Sequence, residues 1–290
     1  MKFIRTIIIY IFCPFLLHAQ ENPAAYTLSD VYTLWNLSKA DSTIVFADNA
    51  YVRNYPGLAG LVVDSIPVGT TVHLMSEALN GNTIKGFNAP WHHIRYIKDG
   101  LEKEAFIWQG LLALGHHKNT SGHTFLYGFD RYQESQDDQQ AYYLCTVKLL
   151  DARGQLLSKE SLRVDYSGQS FTESKLLPSM GLTGLQQIFR IAFLGEACGI
   201  PSNYYYLGWN GKAFISMPSR YDVGDAGIFY HTETILFPTE HLQENDLIYK
   251  LIEEGEVEDD KADASEYTIK KRKEKYRWNG AYFSQLFELN

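Results

Sequence analysis

The chain has 290 residues, with 26 Lys and Arg against 34 Asp and Glu, and its formal net charge is −8. A chain with this acidic balance is a poor partner for nucleic acid or for anionic lipid surfaces. Its length favours two domains over one, and an aromatic content of 14%, with 20 tyrosines, favours strand-rich structure.

Residues 1–19 have the order of a secretory signal peptide. Lys2 and Arg5 form a basic start, residues 6–17 are mostly apolar, and Ala19 places a small residue before a cut at Gln20. The apolar stretch is too short to span a bilayer as a mature helix. Removal of residues 1–19 takes away two basic residues and no acidic residue, so the formal net charge of the mature chain is 24 − 34 = −10. We predict an exported protein, periplasmic or extracellular, whose mature chain does not insert into a membrane.

The three cysteines leave two questions open. Cys13 lies inside the predicted signal peptide, where the neighbouring Phe12 and Pro14 do not fit a lipidation site, so a soluble exported chain is predicted. Cys145 and Cys198 remain after cleavage. In an oxidising compartment they can form a disulfide, and the alternative is that both are small buried apolar residues.

Residues 20–43 are predicted to be a lead-in to the first domain. The segment SDVYTLWNL at 29–37 has a cap-like start and mixed periodicity. A short helix and an extended strand-like segment therefore both stay open, and no functional residue is predicted here.

Residues 44–115 contain short strand-like segments separated by turn signals. The segments are AYVRNYP at 50–56, PVGTTVHL at 67–74, WHHIRY at 91–96 and AFIW at 105–108. Pro-Gly at 56–57 and Asp-Gly at 99–100 favour turns between them. In this order the segments resemble the bacterial SH3 family, whose pattern is a V-R-x-x-P turn, a K/P-x-G-x-x-V strand start, a W-x-x-V/I strand and a final G-Y-V strand.

The resemblance implies a small SH3-like barrel over residues 44–115 that binds a component of the cell envelope. Two features depart from the family pattern: Ala105 stands where the family has glycine, and residues 77–90 form a longer polar insertion. Four aromatic residues are the ligand-binding candidates, with a place in the barrel core as the alternative for each. They are Tyr55, Trp91, Tyr96 and Trp108. Tyr55 lies beside the Pro-Gly turn, so it is the one expected to be exposed.

The remainder of the chain predicts an all-β protein with a larger second domain. Residues 116–124 are polar and are predicted to be a linker, and residues 125–290 are predicted to form an antiparallel β domain of meander, sandwich or propeller-like type. Two similar segments, YLGWNGKAF at 206–214 and YRWNGAYF at 276–283, each contain the Asn-Gly pair that favours a tight hairpin. They are predicted to be structural hairpins, with a repeated ligand-binding hairpin as the alternative.

No catalytic, metal-binding or cofactor-binding residue is predicted. Cys198 with His231 or His241 is a candidate catalytic pair, but EACGIP at 196–201 lacks the aspartate and serine found beside the nucleophile of papain-like wall peptidases. The histidines at 92–93, 116–117 and 123 have no cysteine or carboxylate at metal-ligand spacing, and they are predicted to be polar loop residues.

Taken together, these patterns predict a non-catalytic exported protein that recognises a cell-wall peptide or another envelope protein. The first alternative is an accessory or inhibitory protein that masks an enzyme or a toxin through its acidic surface. The second is an enzyme of unrecognised type in the second domain. An exposed aromatic groove on the first domain would favour the binding protein, and a flat acidic patch would favour the masking protein.

Overall fold

A computed structural model describes residues 30–135, 140–257 and 267–287. The predicted signal peptide and its cleavage site lie outside these residues. In the part of the chain that is described, nearly all regular structure is antiparallel β, which confirms the all-β prediction. The described helices are short, and none is long and apolar enough to cross a membrane.

The first sheet has seven strands, all paired antiparallel, in the order β1-β4-β6-β7-β2-β3, with β5 added to β6. Its strands are β1 (Ser42–Ile44), β2 (Asn49–Arg53), β3 (Val62–Pro67), β4 (Thr71–Leu74), β5 (Leu79–Ile84), β6 (Phe87–Lys98) and β7 (Leu101–Trp108). A 3₁₀ helix precedes β1 (Asp30–Trp35), and another follows β7 (Gln109–Leu111).

This sheet is not the closed barrel that the sequence led us to expect, because β1 and β3 remain its two edges. The strand β6 is twelve residues long and divides its length between partners, pairing with β5 along its first half and with β4 along its second. The β2–β3 hairpin joins the far side of β7 through a single register pair, Arg53 with Phe106. Strand β3 pairs only with β2, so its other side is an edge of the sheet.

The second sheet has four strands in the order β11-β10-β9-β8. They are β8 (Gly115–Lys118), β9 (Thr124–Gln133), β10 (Tyr142–Leu150) and β11 (Leu156–Val164). The structure differs here from the predicted linker at 116–124, which forms the β8–β9 hairpin instead. The Asn119 side chain closes the turn by accepting hydrogen bonds from the backbone N–H groups of Ser121 and His123.

The third sheet has nine strands in the order β12-β13-β14-β16-β17-β18-β19-β20, with β15 added to β14. They are β12 (Phe171–Pro178), β13 (Gln187–Leu194), β14 (Ser202–Trp209), β15 (Phe214–Ser216), β16 (Arg220–Asp225), β17 (Phe229–Leu236), β18 (Leu247–Val257), β19 (Tyr267–Trp278) and β20 (Phe283–Leu286). One helical turn, α1 (Pro238–His241), connects β17 to β18.

The two Asn-Gly segments form matching hairpins in this sheet. Gly211 and Gly280 both have positive φ, at 89° and 91°. The side chains of Asn210 and Asn279 each accept two backbone N–H hydrogen bonds from the residues that follow. The predicted structural hairpins are therefore confirmed.

A hydrophobic cluster that includes Phe237 and Trp278 belongs to the third sheet alone, and the main hydrophobic core is shared by all three sheets. Its centre is Phe129 on β9, whose ring contacts Phe87 of the first sheet and Phe193 of the third at centroid separations of 6.2 and 5.8 Å. Trp35 from the lead-in packs on the same ring at 5.7 Å, and its indole N–H donates to the carbonyl of Leu112. The lead-in thus forms part of the core.

A second contact joins the first and second sheets at Phe46, in the connection between β1 and β2. The ring lies so close to Gly128 that an added Cβ there would stand 2.6 Å from it. The buried Lys148 donates to the Phe46 carbonyl at 2.8 Å and to the Asp48 carboxylate at 2.6 Å. These bonds satisfy an ammonium group that would otherwise be costly to bury.

We expect Phe193→Ala to lower the free energy of unfolding by about 3–5 kcal/mol, because it removes a ring from the shared core and leaves a cavity. Phe287→Ala is the matched control, since Phe287 is 79% exposed and its loss is expected to change stability by less than about 0.5 kcal/mol. Urea unfolding followed by tryptophan fluorescence measures both. Equal effects of the two substitutions would contradict the shared core.

Candidate functional site

The four candidate aromatic residues do not form one groove. Trp91, Tyr96 and Trp108 are buried, with at most 2% of their surface exposed, whereas Tyr55 is 43% exposed. The first three therefore take the alternative role of core residues, and their assignment to an exposed groove is corrected. The strand pattern could not separate the two roles, because a buried aromatic and a groove aromatic have the same residue type.

The two tryptophans hold the polar insertion in place. The indole N–H of Trp91 donates to the side-chain oxygen of Asn82 at 2.8 Å. The indole N–H of Trp108 donates to the backbone carbonyls of Asn82, at 3.1 Å, and Ala89, at 2.9 Å. Residues 77–90 are therefore ordered as strand β5 and the start of β6 by hydrogen bonds from the core beneath them.

Tyr96 is fixed by the carboxylate of Asp64 on β3. Its hydroxyl donates to Asp64 at 3.1 Å, and Lys103 donates to the same carboxylate at 2.9 Å. Lys98 also donates to Asp64. Burial raises the pKa of Tyr96 to about 12, and the bond to Asp64 acts in the same direction. The hydrogen bonds from Lys98 and Lys103 hold the pKa of Asp64 well below its usual range.

Tyr55 lines an open groove of about 430 Å³ between the β2–β3 connection and strand β5. The groove is lined by Tyr55, Pro56, Gly57, Leu58, Ala59, Asn80, Gly81, Asn82 and Asn88. None of these described residues carries a charge. Tyr55 is predicted from the sequence, but the three asparagines are not. The signal that could have indicated them is the Asn-rich polar insertion at 77–90.

The groove walls are fixed by local hydrogen bonds. Arg53 donates to the carbonyls of Leu58, at 3.3 Å, and Gly60, at 2.5 Å, across the turn that carries Tyr55. The amide of Asn80 donates to the carbonyl of Pro56 at 2.8 Å, which joins the two walls. A Cβ at Gly60 would stand 2.8 Å from the Tyr55 carbonyl, so this close approach requires glycine. The groove is thus largely formed before any ligand arrives.

The lining determines which ligands suit the groove. Asparagine amides supply both hydrogen-bond donors and acceptors, and a tyrosine ring supplies flat apolar area at low entropic cost. An uncharged groove does not select for a charged ligand. Backbone amides of an extended peptide and hydroxyls of a sugar match this chemistry.

The catalytic pair that the sequence raised is not assembled. Cys198 is exposed and free, and the described residues show no hydrogen bond from it to His231 or His241. Both ring nitrogens of His241 are occupied: Nε2 donates to the Leu247 carbonyl and Nδ1 accepts from the backbone of Gln243. Cys145 is also free and fully buried, and burial raises the pKa of its thiol. The two cysteines therefore do not form a disulfide.

The histidines that were predicted to lie in polar loops are strand residues, with the exception of His123. His92 is buried on β6 and donates to the side-chain oxygen of Gln109 at 2.7 Å, while His93 beside it lies 3.1 Å from the carboxylate of Glu104. His117 on β8 donates to the backbone carbonyl of Ser174 at 2.8 Å. Among the described residues, no group of three or more His, Cys, Asp or Glu side chains is placed to hold a metal ion.

Comparison with known proteins adds no family assignment. No family model matches the chain, and no curated protein and no solved structure matches it either.

We expect Asp64→Asn to lower the free energy of unfolding by about 2 kcal/mol near pH 7, because Lys98 and Lys103 lose the carboxylate that they share. A carboxylate with a lowered folded-state pKa stabilises the fold above its unfolded pKa, which is about 4, and this stabilisation is lost as the pH falls towards the folded-state pKa.

The free energy of unfolding should therefore differ between wild type and Asp64→Asn by a constant amount from neutral pH down to about pH 5. This difference should shrink below about pH 4. Urea unfolding at a series of pH values measures it. Asp165→Asn is the control, because the Asp165 side chain is 64% exposed and meets only Arg163 at 3.3 Å among the described ion pairs. A difference that stays constant down to pH 2 would show that the Asp64 carboxylate does not stabilise the fold.

Proposed function

We propose that the chain is an exported, non-catalytic binding protein that recognises a cell-envelope component through the groove beside Tyr55. The observation that carries the proposal is the pre-formed, uncharged groove in which a half-exposed tyrosine faces three asparagines. A peptide of the cell wall is the ligand that this chemistry and the bacterial SH3 resemblance favour together, and an exported protein presenting an extended segment is the alternative ligand.

Export is supported by the basic start and short apolar core at residues 1–19, as read from the sequence. A mature charge of −10 disfavours nucleic acid and anionic lipid as partners. An exported location and a cell-envelope ligand are therefore consistent with each other.

The masking alternative has less support. It needs an acidic face, but the acidic side chains of β18 lie opposite basic ones of β19: Glu253 is in register with Lys271 and forms an ion pair with it at 2.8 Å. Arg272 approaches Glu254 at 3.8 Å in the same way. In the described part of this ribbon the charges are thus largely paired.

The test uses the mature chain, residues 20–290, and purified peptidoglycan sacculi in a co-sedimentation assay. We expect wild type to bind and Tyr55→Ala to bind at least about fivefold more weakly, because the substitution removes the aromatic wall of the groove. Tyr51→Ala is the matched control, since Tyr51 is 59% exposed on β2 but does not line the groove.

The melting temperature should stay nearly unchanged in both tyrosine variants, whereas Trp91→Ala should lower stability by several kcal/mol, about 3–5, as a core aromatic does. Absence of wild-type binding to sacculi would reject the cell-wall ligand. Equal binding by Tyr55→Ala and wild type would reject the groove.

A further inference from the structure

The third sheet carries a cavity of about 480 Å³ that is separate from the Tyr55 groove. Side chains from five strands and the α1 turn line it. Three of them are cationic, namely Lys175 on β12, Arg190 on β13 and Arg220 on β16. The volume lies within the range of small-molecule sites, which is roughly 300–1,000 Å³.

Strand register places these cations on one face of the sheet. Lys175 is directly opposite Arg190, and Arg190 is directly opposite Tyr206. Tyr204, two residues earlier on β14, is opposite Arg220, so all five side chains point the same way. Like charges directly opposite each other in a sheet are destabilising, and one carboxylate, that of Glu173 on β12, forms an ion pair with Arg190 beside this Lys175–Arg190 pair.

The hydrogen bonds within the cavity leave cationic donors available. Arg190 donates from Nη2 to Glu173 at 2.5 Å, but its Nε is buried and makes no hydrogen bond. Among the described residues, the ammonium of Lys175 has no ion pair. A buried donor of a charged group that lacks an acceptor is destabilising, and an oxyanion in the cavity would supply that acceptor.

The carboxylates that also line the cavity are already occupied. Asp222 accepts from Arg220 at 2.5 Å, and buried Glu233 meets Lys250 at 2.7 Å. Glu240 accepts from the backbone N–H of Phe237 at 2.8 Å. On the β12–β13 side of the cavity, the donors that lack an acceptor among the described residues are the Nε of Arg190 and the ammonium of Lys175.

We infer that this cavity binds a small molecule that carries an oxyanion, a carboxylate or a phosphate, between Arg190 and Lys175. The apolar residues of the lining indicate which group the ligand carries besides the oxyanion. Leu177, Met180 and Phe237 line the same cavity beside Tyr206, so an apolar body attached to the oxyanion has a surface to contact. The ligand class is thus a small amphipathic acid, and this site does not depend on the Tyr55 groove.

The experiment follows two NMR resonances of the mature chain during three separate titrations: the Arg190 Nε–H and the backbone N–H of Tyr206, which is in register with Arg190. The Tyr206 resonance also reports the affinity of variants that lack Arg190. The probes are inorganic phosphate, benzoate and benzyl alcohol, which separate a phosphate site from a carboxylate site and from an apolar site. We expect saturable shifts with at least one oxyanion in the millimolar range and none with the neutral alcohol. Benzoate binding more tightly than phosphate would identify the carboxylate class.

Two variants and a control test the assignment. Lys175→Met removes an exposed ammonium and should weaken oxyanion binding by about tenfold. Arg190→Lys keeps the charge but removes the Nε donor, and it should weaken oxyanion binding by a similar factor. Lys212→Met, in the exposed turn after β14, should leave the affinity unchanged. Absence of a saturable shift with both oxyanions, or equal affinity in Lys175→Met and wild type, would overturn the site.

Discussion

The packing of Phe129 against rings from the other two sheets is the contact on which the rest of the architecture depends. Its ring contacts Phe87 and Phe193, and Tyr143 of its own sheet lies 4.7 Å away. Neither the open first sheet nor the four-stranded second sheet can bury its apolar face alone. Each needs the other as a cover, because one face of a sheet must pack against another layer to form a core.

This shared core explains why the two proposed sites can be pre-formed. The groove on the first sheet is held by indole hydrogen bonds from Trp91 and Trp108, and both tryptophans lie in the common core. The cavity on the third sheet is lined by five strands, and one of them, β13, carries Phe189 and Phe193 on its opposite face into that same core. The cavity is lined mainly by strand residues, and the groove wall in the β2–β3 connection is held by hydrogen bonds from Arg53 and Asn80. Pre-formed walls of this kind keep the entropic cost of binding low.

Local features of the fold could be predicted from the sequence, and non-local ones could not. The Asn-Gly hairpins at 210–211 and 279–280 were predicted correctly because their signal lies within a few residues. The polar run at 116–124 predicts a linker, because nothing within the run indicates that its first residues pair with the strand that follows, β9. The resemblance to the bacterial SH3 family implies that the first sheet closes into a barrel. Closure depends on pairing between strands that are distant in the sequence, and the two edge strands β1 and β3 do not pair.

In the candidate sites, too, local features could be predicted from the sequence and non-local ones could not. Tyr55 was expected to be exposed because it adjoins a Pro-Gly turn, and the structure places it at the surface. The burial of Trp91, Tyr96 and Trp108 depends on which face of each strand meets the core, which strand alternation alone leaves undetermined. The meeting of Lys175 with Arg190 depends on strand register, and no short motif in the sequence encodes it.

Differential scanning calorimetry of the mature chain tests the shared core most directly. A shared core predicts one cooperative transition with equal calorimetric and van't Hoff enthalpies, and Phe129→Ala should move that whole transition to lower temperature. Two resolved transitions, with Phe129→Ala shifting only one of them, would show that the sheets form independent cores and would contradict the account.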